Sequence, residues 1–265
     1  MAKLPTLDEL ISLEHRRAMI TGAGTGIGQA IALRFAQAGA DLDLVDIDEE
    51  LLALAKPKLA RFNRRITTHV VDLADKSAID QLWENLEHAA PSILVNNAGI
   101  YPIKPFVDVK EKFLQRVMET NLHSAFWMCQ HMIRRRLKTG GVIINLGSIE
   151  ALVPFKEDMA HYSMSKAGVI ALTRSLAKEY GKHGFRVNAL VPGGIITRGT
   201  KTVAKRIFRM QLGLLKTGIE FRQRLPLGRA GQPDEIARMA LVLASDLSSY
   251  VHGAAIPVDG GFLSA

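Results

Sequence analysis

The fold is decided by residues 21–28, which read Thr21-Gly22-Ala23-Gly24-Thr25-Gly26-Ile27-Gly28. This run follows a short β-type segment and opens a segment whose apolar residues recur at helical spacing. Glycines at such a turn let the backbone approach a pyrophosphate, and the free amides at a helix start favour an anion. Ile27 stands where the common GxGxxG pattern has its third glycine, and no lysine follows as in a P-loop. The run therefore predicts a strand–turn–helix unit that is either a dinucleotide phosphate site or a purely structural turn.

The same alternation of β-type runs and helical segments continues along the chain. Strands are predicted at 17–21, 41–46, 66–72, 92–99, 141–148, 186–193 and 254–261. Helices are predicted at 29–38, 49–59, 76–88, 112–137, 161–180 and 233–244. Because several strands carry few polar residues, they fit a parallel sheet that is covered on both faces. We expect an α/β fold with one domain over residues 1–265: a doubly wound, Rossmann-type parallel sheet of about seven strands with helices on both faces.

The composition is that of an ordinary globular protein, with 48% hydrophobic and 23% charged residues among 265. No stretch approaches the roughly 18 apolar residues that a membrane span needs, so we expect no membrane partner. The single cysteine, Cys129, excludes an intrachain disulfide and favours a reducing, cytoplasmic location. Eight histidines and one cysteine show no metal-ligand spacing, and we expect no metal.

The net charge of +8 is concentrated in residues 194–229. This segment contains one acid, Glu220, and nine basic residues: Arg198, Lys201, Lys205, Arg206, Arg209, Lys216, Arg222, Arg224 and Arg229. The remaining 25 basic and 25 acidic residues balance. Because the excess charge is confined to one segment, we expect no nucleic-acid partner.

Two acidic residues end predicted strands near the glycine-rich run. Asp46 follows Gly28 by 18 residues, where a carboxylate can accept from ribose hydroxyls and would repel a 2′-phosphate. Neither Thr25 nor Ile47 offers a base that would offset this repulsion. Asp72 could accept from an adenine amino group in the same way. The alternatives are that Asp46 only caps the next helix and that Asp72 is a turn residue.

Tyr162 and Lys166 stand four residues apart on a predicted helix, so both side chains share one face. An ammonium there can lower the pKa of a phenol from about 10 toward neutrality, which would make it a usable acid or base. Ser148 ends the preceding strand, where an open α/β sheet binds its ligand. Asn121 lies inside the apolar helix before that strand, either for a functional reason or as a satisfied core amide.

Taken together, these motifs resemble the short-chain dehydrogenase/reductase family, matched from about Arg17 to Phe262. The resemblance rests on the glycine-rich run, "NNAG" at 96–99, Asn121, Ser148, "YSMSK" at 162–166 and "PGGIIT" at 192–197. It implies that Tyr162 exchanges a proton and that Ser148 holds the substrate oxygen. It further implies that Lys166 binds the nicotinamide ribose and tunes Tyr162, and that Asn121 supports a water relay. Gly147 and Met164 depart from the residues frequent in the family, which affects pocket shape rather than chemistry.

The resemblance also implies where the dinucleotide lies. The expected cofactor-binding residues are Gly22, Thr25, Gly26, Ile27, Gly28, Asp46, Asp72, Leu73, Asn97, Ala98, Gly99, Tyr162, Lys166, Pro192, Gly193, Ile195 and Thr197. Residues 194–229 lie where the family carries a mobile substrate lid. The basic residues of this segment predict either an anionic substrate group or only a solvated face.

Two further ionisable residues stand near the catalytic motif. Glu150, two residues beyond Ser148, could accept from substrate hydroxyls together with Ser148 and Tyr162, pair with a lid base, or be a solvated loop charge. His161 points about 100° away from Tyr162 on a helix, so we expect it at the pocket rim or surface.

The predicted function is NAD-dependent hydride transfer between nicotinamide and a secondary alcohol or ketone, such as a sugar, a polyol or another small hydroxy compound. The alternatives are reduction of 3-oxoacyl thioesters, or a catalytically silent protein that senses a dinucleotide or binds nucleic acid. We also expect a homo-oligomer, a tetramer, because several helices and the C-terminal segment are more apolar than one sheet face needs.

Overall fold

One parallel sheet organises the chain. The computed structural model describes residues 4–86, 90–197 and 224–265. Its strands are β1 Arg17–Thr21, β2 Asp41–Asp46, β3 Ile66–Val70, β4 Ile93–Asn96, β5 Gly141–Leu146, β6 Phe185–Pro192 and β7 Ala255–Val258. They run in the order β3-β2-β1-β4-β5-β6-β7, and every neighbouring pair is parallel. The order reverses between β1 and β4, which is where sheets of this kind bind ligands.

Helices cover both faces of the sheet. They are α1 Leu7–Ile11, α2 Gly26–Gln37, α3 Glu49–Leu59, α4 Lys76–Glu84, α5 Glu111–Met118, α6 Ser124–Arg136, α7 Ala160–Tyr180 and α8 Pro233–Ala244. Alternate residues of one strand enter different cores: Ala18 and Ile20 join the core of α2 and α8, whereas Met19 joins that of α4 and α6. The predicted doubly wound fold of seven strands is therefore confirmed.

The helix predicted over 112–137 is wrong in its middle. A single π-helical turn, Glu119–His123, separates α5 from α6. The Thr120 hydroxyl donates to the Arg116 carbonyl at 2.8 Å, and the Ser124 hydroxyl donates to that of Thr120 at 2.6 Å. Hydroxyls that bond a carbonyl four residues back compete with the regular helical ladder, and π turns are frequent at functional sites.

Other boundaries differ for local reasons. The strand expected over 92–99 stops at Asn96 because the amides of Asn97 and Ala98 turn to the Thr21 hydroxyl. The helix expected over 76–88 ends at Glu84, and residues 87–89 lie outside the described part. The short helix α1 was not predicted; it begins with a capping box between Thr6 and Glu9.

A polar chain crosses the core beneath the sheet's reversal point. The Asn96 amide donates to Asn145 at 2.8 Å, and the Asn145 amide donates to Thr173 at 2.9 Å, which ties β4, β5 and α7 together. Cys129 lies against Asn96, and burial raises the pKa of its thiol to about 12. Among the helices described, none combines the length and apolarity that crossing a bilayer requires.

Candidate active site

The glycine-rich run forms a tight turn between β1 and α2. Gly22 and Gly26 have φ values of +63° and +59°, which side chains other than hydrogen rarely tolerate. A Cβ at Gly28 would lie 2.1 Å from the Gly22 carbonyl oxygen, so this glycine lets the helix start approach the strand end. Thr25 begins α2 without a side-chain capping bond, and Ile27 lies in its first turn. Amides at such a helix start fit a phosphate.

Asp46 is bound to this turn. One carboxylate oxygen accepts from the Gly24 amide at 2.8 Å, and the other accepts from the Asp48 amide at 3.2 Å. Asp48, not Asp46, caps α3 by accepting from the Leu51 amide. The alternative that Asp46 serves only as a helix cap is therefore wrong, since its carboxylate lies against the glycine turn.

The segment 96–99 lies beside the turn. The Asn97 side-chain amide donates to the carbonyls of Thr21 at 2.9 Å and Gly22 at 3.1 Å. The Thr21 hydroxyl accepts from the amides of Asn97 and Ala98. These bonds place the residues predicted on β1 and β4 at one edge of the sheet.

The chain after β6 lies over the same turn. β6 ends at Pro192, and Gly193 packs so closely on Asp259 that a Cβ there would meet its Cα at 2.7 Å. Ile195 pairs with Gly231, and a Cβ at Gly26 would lie 3.4 Å from the Thr197 methyl group. A cleft of about 440 Å³ opens beside α2 and is lined by Thr25, Gly26, Leu33, Lys58, Thr197 and Asp234, among others; Asp46, Ser148, Tyr162 and Lys166 do not line it. The glycine turn and the helix start fit the phosphates of a dinucleotide.

Asp72 and Leu73 are placed by local contacts. Asp72 accepts from the Ala74 amide at 3.0 Å and from Arg116 at 2.9 Å, as a turn residue does. These bonds keep the pKa of the Asp72 carboxyl below its usual range despite the opposing effect of burial, so it carries a charge at neutral pH. The Leu73 side chain is buried in the core with Val45 and Trp83.

Ser148 and Tyr162 come together at the end of β5. The Ser148 hydroxyl accepts from the Glu150 amide at 3.2 Å and lies close enough to Tyr162 to act on the pKa of its phenol. Burial raises the pKa of Tyr162 to about 12; the Ser148 bond acts in the opposite direction, whereas Glu150 and Tyr101 add to the rise. A phenol and a serine hydroxyl in contact can hold one substrate oxygen and exchange its proton.

Lys166 and Asn121 lie next to this pair. The Lys166 ammonium donates to the Leu146 carbonyl at 2.7 Å, and Asn121 bonds both main-chain groups of Ile100, accepting at 2.7 Å and donating at 2.8 Å. Both converge on Gly99, where a Cβ would lie 3.3 Å from the Asn121 oxygen and 3.4 Å from the Lys166 nitrogen. The contacts of Asn121 are therefore those of a core amide whose hydrogen bonds are satisfied, and its role in a water relay stays a prediction.

The expected lowering of the Tyr162 pKa by Lys166 is wrong for this structure. The ammonium lies 6.0 Å from the centre of the Tyr162 ring and is bonded to a carbonyl on β5. Burial lowers the pKa of Lys166 itself to about 8. Desolvation of the phenol therefore outweighs the cation four residues away.

Glu150 and His161 are buried, contrary to the alternatives of a solvated charge for Glu150 and a rim or surface position for His161. Glu150 is 7% exposed, and its two carboxylate oxygens accept from the amides of Phe155 and Lys156 at 3.0 and 3.2 Å. His161 is 3% exposed and bonds the Pro102 carbonyl at 2.7 Å. Both anchor the loops that flank Ser148 and Tyr162.

Tyr101 is a site residue that the sequence reasoning missed. Its ring packs edge-on against that of Tyr162, with 6.3 Å between the ring centres, and its buried hydroxyl has no hydrogen-bond partner among the described residues. Burial raises the pKa of Tyr101, so it stays protonated at neutral pH. Its place two residues after "NNAG" was the available signal.

The basic segment is mostly outside the described part. Of its nine basic residues only Arg224 and Arg229 are described, and Glu220 also lies outside the described residues. Arg229 pairs with Glu235 at 2.7 Å, which lowers the pKa of Glu235 to about 2. Arg224 lies 5.9 Å from the Phe262 ring. In the described residues, no group of three or more histidine, cysteine or acidic side chains could hold a metal ion.

Comparison with known proteins gives the same architecture. The family described as Enoyl-(Acyl carrier protein) reductase matches residues 22–263. A short-chain type dehydrogenase/reductase from Mycobacterium marinum superposes with a TM-score of 0.88 at 30% identity, over 98% of this chain and 100% of the other. The chain belongs to the short-chain dehydrogenase/reductase family.

Members of the family with different substrates are similar to this chain. Galactitol 2-dehydrogenase (L-tagatose-forming) of Cereibacter sphaeroides is 39% identical over 94% of this chain and 96% of its own length. The 3-oxoacyl-[acyl-carrier-protein] reductase of Chlamydia pneumoniae is 35% identical over 95% of this chain and 98% of its own. L-sorbose reductase from Gluconobacter frateurii, complexed with NADPH and L-sorbose, superposes with a TM-score of 0.89 at 30% identity over 97% and 99% of the two chains. The prediction of a nucleotide-dependent short-chain dehydrogenase/reductase that acts on CH–OH groups is confirmed.

Proposed function

We propose that this protein oxidises a secondary hydroxyl of a sugar or polyol with NAD, the reverse reduction being carried out by the same groups. The observation that carries the proposal is the arrangement at the carboxyl end of β5: Ser148 follows the strand, and Lys166, four residues after Tyr162 on α7, donates to the Leu146 carbonyl at 2.7 Å. Similarity to galactitol 2-dehydrogenase and L-sorbose reductase supports the substrate class.

The chain's residues account for the movement of the proton. Ser148 donates a hydrogen bond to the substrate oxygen, and Tyr162 as phenolate accepts the hydroxyl proton. A bound nicotinamide supplies the acceptor for the hydride that leaves the carbon. Lys166 binds the nicotinamide ribose, and Asn121 supports a water chain that returns the proton to solvent. Holding these groups in one geometry supplies much of the rate enhancement.

NAD is the proposed cofactor because of Asp46. Its carboxylate is fixed by the Gly24 amide at the edge of the turn, where it accepts from ribose hydroxyls and repels a 2′-phosphate. Ile47 beside it is 57% exposed and carries no charge. The NADPH complex of L-sorbose reductase makes this preference the point to test.

The remaining residues of the cofactor site are proposed from their positions. Gly22, Thr25, Gly26, Ile27 and Gly28 surround the pyrophosphate. Asp72 and the Leu73 main chain face the adenine, Asn97, Ala98 and Gly99 line the ribose side, and Pro192, Gly193, Ile195 and Thr197 close over the nicotinamide half.

Reduction of 3-oxoacyl thioesters is the second candidate. It is favoured by the similarity to the Chlamydia pneumoniae reductase and by the family description. The same serine and tyrosine would bind the ketone oxygen and donate the proton, so the two candidates differ in substrate and not in chemistry.

We further propose a homotetramer in the cytoplasm. Phe126 on α6 and Met164 on α7 are 43% and 49% exposed, so each helix presents a large apolar side chain to solvent that a partner subunit would cover. Light scattering at micromolar concentration tests the assembly, and a particle of 29 kDa contradicts it. The lone thiol of Cys129 supports a reducing compartment.

A substrate screen tests the proposed function. Reduction of NAD is measured over sugars, polyols, sugar acids, other hydroxy acids and steroids, and each active compound is repeated with NADP. A 3-oxoacyl thioester with NADH or NADPH forms the opposing arm. We expect turnover with a sugar or polyol and NAD; turnover of the thioester alone establishes the second candidate, and none in either arm rejects both.

A further inference from the structure

Glu150 combines deep burial with a full set of local bonds. It lies in a short helical turn, Ile149–Ala151, directly after Ser148. Its carboxylate accepts from the amides of Phe155 and Lys156, which closes the loop 150–156 on itself. Among the described residues no ion pair compensates its charge. A carboxylate with 7% exposure and no cation would be costly unless amides and geometry required it.

The loop that Glu150 closes connects the catalytic serine to the C-terminal segment. At one end, the Glu150 amide donates to the Ser148 hydroxyl oxygen at 3.2 Å. At the other end, the Phe155 ring packs edge-on against Phe262 at 5.3 Å. The Glu150 carboxylate therefore links two parts of the pocket wall that come from distant positions in the chain.

The charge of Glu150 also acts on Tyr162. It favours the protonated phenol, in the same direction as burial and as Tyr101, and against the hydrogen bond from Ser148. Among the lysines and arginines of α7, Lys166 lies nearest to Tyr162 in sequence, and His161 faces the Pro102 carbonyl instead. Removing the Glu150 charge should therefore ease ionisation of Tyr162.

We propose that Glu150 is a positioning residue: its carboxylate holds the loop 150–156 closed so that Ser148 stays on Tyr162, and it places a negative charge beside the reacting hydroxyl. The expected change in the pH profile rests on the proposed function, because it requires turnover of an alcohol. The expected loss of loop closure requires no substrate.

Two substitutions separate the charge from the reach of the side chain. Glu150→Gln removes the charge and keeps one acceptor oxygen, whereas Glu150→Asp keeps the charge but shortens the side chain. Glu157→Gln is the matched control, because Glu157 is exposed and directly follows the loop 150–156 in the sequence. Thermal unfolding and circular dichroism show whether each variant folds.

The kinetic test measures kcat/KM for alcohol oxidation against pH. Glu150→Gln should move the acidic limb to lower pH by about one unit, because it removes a negative charge that favours the protonated phenol. Glu150→Asp should leave the limb in place and lower kcat about tenfold through misplacement of Ser148. A purely structural role would lower the unfolding temperature of both variants without moving the limb, and that result overturns the proposal.

Two measurements remain decisive if no alcohol is turned over, in which case the proposed function fails on its own. Hydrogen exchange at the Phe155 and Lys156 amides should be faster in both Glu150 variants and unchanged in Glu157→Gln. Tyrosinate absorbance, taken as the difference from the same protein with Tyr162→Phe, should show Tyr162 ionising at lower pH in Glu150→Gln. Unchanged exchange protection and an unchanged Tyr162 titration refute the inference.

Discussion

The cofactor side and the substrate side of the site are held together in different ways. Around the glycine turn, polar side chains bond main-chain groups of the turn: the Asp46 carboxylate accepts from the Gly24 amide, and the Asn97 side-chain amide donates to the Gly22 carbonyl. Around Ser148, the wall depends on side chains from distant positions, such as Phe155 against Phe262. A turn of glycines held by such bonds tolerates few changes of sequence, whereas a wall of packed side chains can be altered one residue at a time. The difference explains how relatives with one chemistry act on sugars and on acyl thioesters.

The largest effect should come from the group that both sides share. Tyr162→Phe removes the proton-exchanging hydroxyl, and we expect kcat to fall about 10³-fold or more while the Kd for NAD changes little. Single-turnover kinetics and calorimetry measure the two quantities. Tyr250→Phe, at a fully exposed tyrosine, is the control, and substantial activity in Tyr162→Phe would remove this hydroxyl from the mechanism.

Substitution of Lys166 should impair the cofactor side and the substrate side of the site together. Its ammonium is proposed to bind the ribose and lies next to Gly99 and Tyr162, so Lys166→Ala should lower kcat about 10²-fold and also weaken NAD binding. Lys178→Ala near the end of the same helix is the matched control. Normal NAD affinity in the Lys166 variant contradicts the dual role.

The pH dependence sharpens the comparison on the substrate side. Burial raises the pKa of Tyr162 to about 12, and a base must be deprotonated to act, so oxidation should accelerate as pH rises. We expect kcat/KM to increase by up to about tenfold per pH unit above neutrality. Burial lowers the pKa of Lys166 to about 8, so the KM for NAD should rise as its charge is lost above that pH. A pH-independent oxidation rate between pH 6 and about 9 would show that Tyr162 is already ionised or does not act as the base.

The smallest effect should be confined to the cofactor side. Asp46→Asn keeps an oxygen for the Gly24 amide but loses the charge, and the preference for NAD over NADP should narrow about tenfold. Asp48→Asn retains the α3 cap and serves as the control. Equal efficiency of the two cofactors in the wild-type protein would already refute the role of Asp46.

The sequence predicts features that depend on local spacing and misses those that depend on contacts between distant loops. The bounds of α3 and α8 and the shared face of Tyr162 and Lys166 come from local spacing, and they were predicted. Tyr101 against Tyr162, and Phe155 against Phe262, depend on the way loops far apart in sequence pack together. The pKa of Tyr162 also depends on burial, and the spacing between Tyr162 and Lys166 in the sequence does not reveal how deeply the phenol is buried.

The π-helical turn shows a further limit. Its cause, Thr120 and Ser124 hydroxyls bonded to carbonyls four residues back, is visible in the sequence only as two hydroxyl residues in a helix. Whether such residues break the ladder depends on what lies opposite, here Ile100 bound by Asn121. The site residue was predicted, but the distortion that presents it was not.

Alkylation of Cys129 can measure how often the core of this protein opens. A thiol that is 1% exposed and whose pKa burial raises to about 12 reacts with alkylating reagents only after α6 leaves the sheet. Because the chain contains no other cysteine, the labelled mass reports one event per molecule. The rate of labelling without denaturant therefore reports the frequency with which the centre of the fold opens. The ratio of the labelling rates with and without NAD gives the free energy by which NAD binding stabilises the closed core.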